Sequence, residues 1–180
     1  RTDSRDGERK IQSRMGLSAS AEYVDEFLKE ISTIWKKENT EYRYQGKKVD
    51  AVLVDEAQFL SEAEIDTLSD LVDFYNIPVI CYGLRTDFRN RLFPGSRRLM
   101  EIADVIEEVP TVCWCGKRAQ CNTRYANGEI VREGAQIMLG SNESYVALCR
   151  KHYKEGKLWK EAGAENETST RRNCKIMEKE

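Results

Sequence analysis

The sequence predicts an α/β domain with a parallel sheet, followed by a small second module. Apolar runs at residues 49–54, 78–83 and 105–109 are typical of buried strands. Helical patterns separate these runs, which is the order expected of a parallel sheet with right-handed crossovers. After Pro110 the pattern changes to short β-like pieces around a turn. We therefore expect three parts, which are residues 1–110, residues 111–155 and a polar tail at 156–180.

Composition limits the class of protein. The chain has 180 residues, 40% hydrophobic and 33% charged, which fits a globular domain with a small appendage. No apolar run approaches the ~18–20 residues that span a bilayer, and residues 1–6 lack the apolar centre of a signal peptide. The formal net charge of −2 gives no electrostatic reason to expect nucleic-acid binding. We expect a cytoplasmic protein with neither a membrane nor a nucleic-acid partner.

The first helix is predicted between two polar segments. Residues 1–17 predict a loop, and residues 39–48 predict a polar connection to the first strand. Between them, a helix that starts near Ser20 has apolar residues at three- and four-residue spacing. This apolar stripe consists of Val24, Phe27, Leu28, Ile31, Ile34 and Trp35.

The second helix carries clear start and stop signals. Ser61 and Glu64 form a capping-box pattern at its beginning, and Asn76 with Pro78 marks its end. After the second strand, the sequence predicts a loop and then a short helix. These occupy residues 84–96 and 97–103.

The second module has the pattern of a small β structure. Asn127-Gly128 is a hairpin signal. The β-like pieces around it lie at residues 120–125, 129–133 and 135–139. Beyond them the chain becomes polar and charged, and residues from about 163 onward predict a disordered tail.

Two carboxylates follow the first apolar strand. Asp55 and Glu56 come directly after Val54, and ligands of parallel α/β sheets bind at the carboxyl ends of the strands. One carboxylate there can hold Mg²⁺ on a nucleotide phosphate, while its neighbour takes a proton from a hydroxyl. The pair therefore indicates phosphoryl transfer. The alternative is an acidic turn whose carboxylates only cap the next helix.

A second constellation consists of three cysteines and the only histidine of the chain. Cys113 and Cys115 are separated by one residue, and Cys149 and His152 by two. Three thiolates and an imidazole suit a tetrahedral Zn²⁺ with no open position, which indicates a structural metal. The alternative is a set of unrelated cysteines with a surface histidine. Cys121 is a possible competing ligand.

The loop after the second strand has residues suited to a nucleotide substrate. Leu84-Arg85-Thr86-Asp87-Phe88-Arg89 places an aromatic ring and two arginines at the same edge as the carboxylates. Arginine can neutralise phosphate charge, and an aromatic ring can stack on a base. The alternative is an ordinary solvated loop with Phe88 folded inward. Near Tyr145, Gly140 would allow close approach of the backbone to a ligand.

Taken together, these segments resemble the cytosolic-type (type II) thymidine kinases, and the Cys-x-Cys pair resembles that of bacterial members. The resemblance covers about residues 3–155. Its motifs are VDEAQF at 54–59, YGLRTDF at 82–88, LFPGS at 92–96, VCWCG at 112–116 and MLGSNESYVALCRKHY at 138–153. It implies a P-loop-type parallel sheet flanked by helices, with a small zinc-stabilised β/lasso module.

The resemblance also implies an activity, namely transfer of the γ-phosphate of ATP to the 5′-hydroxyl of thymidine or deoxyuridine. Glu56 matches the general base, and Asp55 matches the carboxylate linked to Mg²⁺. Residues that match the ATP side are Asp3, Arg5, Asp55, Glu56, Ala57 and Gln58. The resemblance further implies a homotetramer with dTTP as feedback inhibitor.

On the nucleoside side, Phe88 matches the aromatic that stacks on thymine, and Leu84 lies near it. The resemblance implies a lasso segment that holds the base through backbone contacts, anchored by zinc ligands that match Cys113, Cys115, Cys149 and His152. The matching lasso residues are Gln136, Ile137, Met138, Leu139, Gly140 and Tyr145.

The sequence departs from this family at one motif. The Gly-rich phosphate loop, G-x-x-x-x-G-K-[ST], does not occur in it, and Arg1 is not a methionine. We expect that an N-terminal segment is missing and that the chain as printed has no measurable kinase activity. The competing function is an inactive fragment that only binds nucleosides or assembles with other subunits. A different P-loop ATPase is a third possibility, but it leaves the lasso-like segment without a role.

Overall fold

A computed structural model describes residues 10–12, 18–34, 43–136 and 144–159. It is a mixed α/β structure with several small sheets. Among the residues described, no helix is long and apolar enough to cross a membrane. The strands and helices lie, in chain order, at β1 Lys10–Gln12, β2 Ser18–Ser20, α1 Val24–Ile34, β3 Arg43–Tyr44, β4 Lys47–Lys48, β5 Val52–Val54, α2 Glu62–Tyr75, β6 Val79–Cys81, α3 Pro94–Ile102, β7 Thr111–Val112, β8 Arg118–Ala119, β9 Cys121–Ala126, β10 Glu129–Ile130, β11 Ser144–Leu148 and α4 Arg150–Glu155.

The predicted parallel pairing is confirmed for two strands. β5 and β6 pair in parallel with Val52 opposite Val79 and Val54 opposite Cys81. The prediction of a third strand at residues 105–109 is wrong, because these residues form no strand. Val105 and Val109 are 74% and 78% exposed. Their β-branched side chains favour a strand, but a strand also needs a hydrogen-bonding neighbour, and no described strand pairs with this segment.

The helices that cover this sheet follow the sequence signals closely. In α2 the Ser61 Oγ accepts from the Glu64 backbone and the Glu64 carboxylate accepts from the Ser61 backbone, so the predicted capping box is formed. At the other end Asn76 adopts a left-handed conformation and closes the helix. The first core lies between these helices and β5. Its buried residues are Leu28, Val54, Ala57, Leu68, Leu71 and Ile77.

Two segments predicted as loops contain short strands. β1 lies in the predicted loop 1–17 and pairs antiparallel with β2, which follows that loop. β3 and β4 form a hairpin inside the predicted polar connection, and it turns at Gln45 and Gly46, which both have positive φ. Polar two-residue strands of this kind have no apolar alternation that periodicity could detect. α3 begins at Pro94, three residues before its predicted start, because proline fits the first turn of a helix.

The second module is built on an antiparallel sheet with the order β10-β9-β11. The predicted hairpin is confirmed, with positive φ at Asn127 and Gly128 between β9 and β10. The predicted strand at 135–139 is not present at residues 135 and 136, and its remainder lies outside the described residues, as does the predicted tail from about 163. The second core lies under this sheet and consists of Cys113, Ala119, Cys121, Leu148, Cys149, Tyr153 and Leu158.

Candidate active site and metal centre

The carboxylate pair lies at the carboxyl end of β5, as predicted. Asp55 and Glu56 are both exposed. The Glu56 backbone donates to the Asp55 Oδ1 at 2.9 Å, and Glu56 has a left-handed backbone with φ 52°. A non-glycine residue in this region is uncommon and often marks a functional turn. The capping alternative does not hold for α2, whose N-cap is Ser61.

Gln58 fixes the position of the Glu56 side chain. It is buried, and its Nε2 donates to the Glu56 Oε2 while its Oε1 accepts from the Leu84 backbone at 3.0 Å. Gly83 makes room for this contact, because a Cβ there would lie 2.5 Å from the Gln58 Oε1. One amide therefore connects the carboxylate after β5 to the loop after β6.

The two strand ends and α3 are held close together behind these carboxylates. The Tyr82 backbone donates to the Val54 carbonyl at 2.8 Å, and the Ala57 backbone donates to the Tyr82 carbonyl at 2.9 Å. The start of α3 packs on the turn at Ala57–Phe59. A Cβ on Gly95 would come within 2.6 Å of the Ala57 carbonyl, so glycine permits this approach.

The loop after β6 is organised by Asp87. This buried carboxylate accepts from the Arg89 side chain at 2.9 Å and from the backbones of Arg89 and Arg91, each at 2.9 Å. Burial alone would raise the pKa of Asp87, but the hydrogen bonds from Arg91 and Arg89 outweigh it and lower the pKa. The Arg89 guanidinium is bonded to Asp87, and neutralisation of phosphate charge by the arginines of this loop stays a prediction.

Phe88 is folded into the protein with 1% of its surface exposed. Its carbonyl accepts from the Tyr153 hydroxyl at 2.9 Å, which ties the loop to α4 of the second module. The Arg124 guanidinium lies 3.8 Å from the centre of the Phe88 ring. This inward position is the alternative that the sequence left open, and a base-stacking role for Phe88 stays a prediction.

Of the described residues predicted for the nucleoside, Phe88, Gln136 and Tyr145 all contact one arginine, Arg124. Arg124 bonds to the Tyr145 hydroxyl and to the Gln136 carbonyl, and the Gln136 amide donates to Asp87 at 3.2 Å. Leu84 bonds instead to Gln58 and to Ser96, whose hydroxyl donates to the Leu84 carbonyl at 2.7 Å. Sequence reasoning missed Arg124, since an arginine in a short strand looks like a solvated residue. The predicted residues outside the described ranges are Asp3, Arg5, Ile137, Met138, Leu139 and Gly140.

The predicted metal ligands come together in the second module. The ligand atoms of Cys113, Cys115, Cys149 and His152 all lie within 4.8 Å of one another. The Cys115 and Cys149 sulfurs are 3.9 Å apart, and the Cys113 sulfur is 3.4 Å from the His152 Nδ1. Tetrahedral Zn²⁺ with its usual bond lengths of ~2.3 Å to sulfur and ~2.0 Å to nitrogen requires separations of about 3.5–3.8 Å. The donor set suits zinc, and the separations of 3.4 and 3.9 Å lie close to these values.

Local structure brings these four ligands together. Cys113 and Cys115 lie on the turn between β7 and β8, where the Cys113 backbone donates to the Lys117 carbonyl at 2.8 Å. Cys149 is the N-cap of α4, and His152 lies within this helix. Trp114 stacks on the His152 ring with centroids 4.0 Å apart and planes 4° apart, which fixes the imidazole. Cys121 is buried nearby but does not belong to the group.

The environment of the thiols also suits a metal. Burial would raise the pKa of Cys113, but hydrogen bonds from the Cys115 and Cys149 backbones and from His152 bring it down to about 6. The Lys117 backbone lowers the pKa of Cys115, but burial and the neighbouring thiols outweigh it and raise the pKa. Neighbouring thiolates repel one another, which makes it costly to ionise all of the thiols. A bound cation offsets this repulsion.

The comparison with known proteins decides the family. A family model described as thymidine kinase matches residues 1–153. The chain belongs to the thymidine kinase family. It is 48% identical over 154 residues to a thymidine kinase of Haemophilus influenzae, which covers 85% of this chain and 77% of that protein. A thymidine kinase of Pasteurella multocida is 45% identical with the same coverage, and one of Legionella pneumophila is 45% identical over 83% of this chain and 70% of its own length.

Proposed function

We propose that this protein is an ATP-dependent thymidine kinase that transfers the γ-phosphate of ATP to the 5′-hydroxyl of thymidine and forms dTMP. The observation that carries the proposal is the Asp55–Glu56 pair at the carboxyl end of β5, joined through Gln58 to the loop that contains Phe88. Membership of the thymidine kinase family supports the same chemistry.

In this proposal the two carboxylates have different tasks. Gln58 holds Glu56 in one orientation, as expected of a general base that must reach a substrate hydroxyl. Asp55 is exposed and adjacent, and we assign it to Mg²⁺ on the ATP phosphates. The metal neutralises charge on the phosphates, which is a main contribution in phosphoryl transfer. We place ATP beside Asp55, Glu56, Ala57 and Gln58, together with Asp3 and Arg5 from outside the described residues.

The nucleoside is assigned to the space between the loop after β6 and the second module. Phe88 and Leu84 come from that loop, and Gln136 and Tyr145 come from the second module. Contacts between the two parts already exist, since Gln136 donates to Asp87 and Tyr153 donates to Phe88. The remaining residues of this assignment are Ile137, Met138, Leu139 and Gly140.

The remaining parts of the proposal concern metal and assembly. Zn²⁺ at Cys113, Cys115, Cys149 and His152 has a structural role, because four protein ligands leave no position for a substrate. We also propose a P-loop-type parallel sheet around β5 and β6, deoxyuridine as a second substrate, dTTP as feedback inhibitor, a homotetramer and a cytoplasmic location.

The test measures dTMP formation from thymidine, ATP and Mg²⁺ by the protein expressed from its complete natural reading frame. We expect transfer of label from γ-labelled ATP to thymidine. Thymidine lacking its 5′-hydroxyl, used as the matched control, should bind but accept no phosphate. Label found only in inorganic phosphate, whether or not thymidine is present, would contradict a nucleoside kinase and favour an ATPase.

A further inference from the structure

Arg124 is the largest fully buried side chain among the described residues. It lies on β9 with 0% of its surface exposed, directly opposite Tyr145 on β11. Burying a charge is costly unless its hydrogen-bonding groups are satisfied. An arginine that only adds charge to the protein surface would be exposed. The role of Arg124 is therefore inferred from the groups that it contacts.

The Arg124 guanidinium contacts three segments that contain residues assigned to nucleoside binding. Its Nε donates to the Tyr145 hydroxyl at 2.9 Å. Its two terminal nitrogens donate to the Ala135 and Gln136 carbonyls at 3.1 and 3.2 Å. Its face covers the Phe88 ring at 3.8 Å. One group therefore contacts the loop after β6, the strand β11 and the two residues that lead into the lasso segment.

The planar shape of arginine is necessary for this arrangement. The guanidinium directs donors in three directions within one plane while its face remains available to an aromatic ring. A lysine ammonium is a point charge with no face and cannot reproduce both kinds of contact. Through Gln136 the arginine is also connected to Asp87, whose carboxylate fixes the backbone that follows Phe88.

We propose that Arg124 is a positioning residue for the nucleoside, setting the Phe88 ring, the Tyr145 side chain and the start of the lasso segment in their binding arrangement. This inference rests on the proposed function. Arg124 acts through these residues rather than on the reacting atoms. Its loss should therefore weaken thymidine binding while leaving the metal site and the carboxylate pair in place.

Arg132 provides a matched control within the same module. It also lies over an aromatic ring, 5.0 Å from the centre of Tyr153, and its Nη2 donates to the Tyr153 carbonyl at 2.7 Å. Its hydrogen bonds go to the Tyr153 and Lys154 carbonyls rather than to Tyr145 or to residues 135 and 136. Arg124→Met and Arg132→Met are therefore the same chemical change on two stacked arginines, only one of which contacts the assigned nucleoside residues.

The experiment measures thymidine affinity by equilibrium titration, together with zinc content and melting temperature, for each variant. We expect Arg124→Met and Arg124→Lys each to weaken thymidine binding about tenfold or more, with zinc content retained, since bonds from a charged group are lost in both. Arg132→Met should keep the original thymidine affinity. Tyr145→Phe, which removes a single acceptor and keeps the ring, should produce a smaller loss in the same direction.

The outcomes separate this inference from the proposed function. If the unaltered protein binds thymidine and both Arg124 variants bind it equally well, the positioning role is wrong and the kinase proposal stands. If Arg132→Met weakens binding as much as Arg124→Met, the effect is general destabilisation and the inference is overturned. If Arg124→Met fails to fold, the folded Arg124→Lys and Tyr145→Phe variants decide by the same criteria. An unaltered protein with no thymidine affinity would overturn both proposals.

Discussion

At the end of β5, Asp55 and Glu56 are exposed to solvent, whereas Cys113, Cys149 and His152 are buried in the second module. The cysteine and histidine side chains converge on one another and supply a complete tetrahedral donor set by themselves. The carboxylates do not converge, and their proposed ligands, Mg²⁺ and a hydroxyl, come with the substrates. The comparison indicates that the two sites are completed in different ways. The second module supplies all four metal ligands from its own side chains, whereas the site at the end of β5 is complete only when its substrates and Mg²⁺ bind.

The largest expected effect comes from removing one of the four side chains that form the metal site. Cys149→Ser should abolish stoichiometric zinc binding and unfold the second module, because structural zinc contributes about 10–16 kcal/mol in small zinc-binding peptides. Elemental analysis and circular dichroism measure the two effects. Cys121→Ser is the matched control, since Cys121 is buried in the same core but lies outside the ligand group. Full zinc content in Cys149→Ser would show that the ligand set is misassigned.

The next largest effect is expected at the exposed carboxylate pair, Asp55 and Glu56. Glu56→Gln keeps the shape of the side chain and removes the proposed base, so the rate of phosphoryl transfer should fall by roughly 10²–10⁴-fold. Thymidine affinity should change little, because Glu56 acts on the hydroxyl proton. Glu62→Gln, on the exposed first turn of α2, serves as control for the loss of a negative charge. A Glu56→Gln variant with an unchanged rate would remove Glu56 from the mechanism.

Phe88 lies where the two regions meet. If it stacks on the base, Phe88→Ala should raise the thymidine KM at a cost of roughly 1–3 kcal/mol while the ATP KM changes much less. Phe93→Ala is the control, since Phe93 is also buried but packs on Phe59. Both KM values and the melting temperature are measured. If Phe88→Ala and Phe93→Ala both lower only the melting temperature, Phe88 is a core residue and does not stack on the base.

A smaller effect concerns pH. The pKa of Asp87 is lowered in the folded protein, so its contribution to the free energy of unfolding is present above the unfolded pKa of about 3.9 and is lost as the pH falls through the folded value. The difference in this free energy between the unaltered protein and Asp87→Asn should therefore be constant near neutrality and shrink below about pH 4. Urea unfolding at several pH values measures it. A difference that grows on acidification would contradict this sign.

The parts that sequence could predict are those governed by local chemistry. The capping box at Ser61 and Glu64 and the hairpin at Asn127 and Gly128 each depend on a few residues close in sequence. The cysteine and histidine ligands form two short-spaced pairs that are more than 30 positions apart, and the chemistry of a shared metal predicts that the pairs meet. Short spacings restrict geometry strongly, so the capping box and the hairpin are confirmed in position. The four predicted ligands lie together in one cluster, and their binding of zinc stays a prediction.

The parts that sequence could not predict depend on distant partners. The β-branched run at 105–109 has the composition of a strand, but pairing is decided by neighbours that composition does not reveal. The buried state of Arg124 depends on Phe88 and Tyr145, which are distant along the chain. The bond from Gln58 to Leu84 likewise joins residues 26 positions apart. None of these contacts leaves a periodic signal.

The central claim is that the zinc-bound second module and the loop after β6 form the nucleoside site together. The most direct measurement is thymidine affinity, by equilibrium titration, of the protein before zinc removal by a chelator, after removal and after zinc is restored. We predict that affinity falls in proportion to the zinc lost and returns on reloading, while circular dichroism shows that most of the helical signal is retained. Unchanged thymidine affinity in zinc-free protein would contradict the account, because the second module would then have no part in holding the nucleoside.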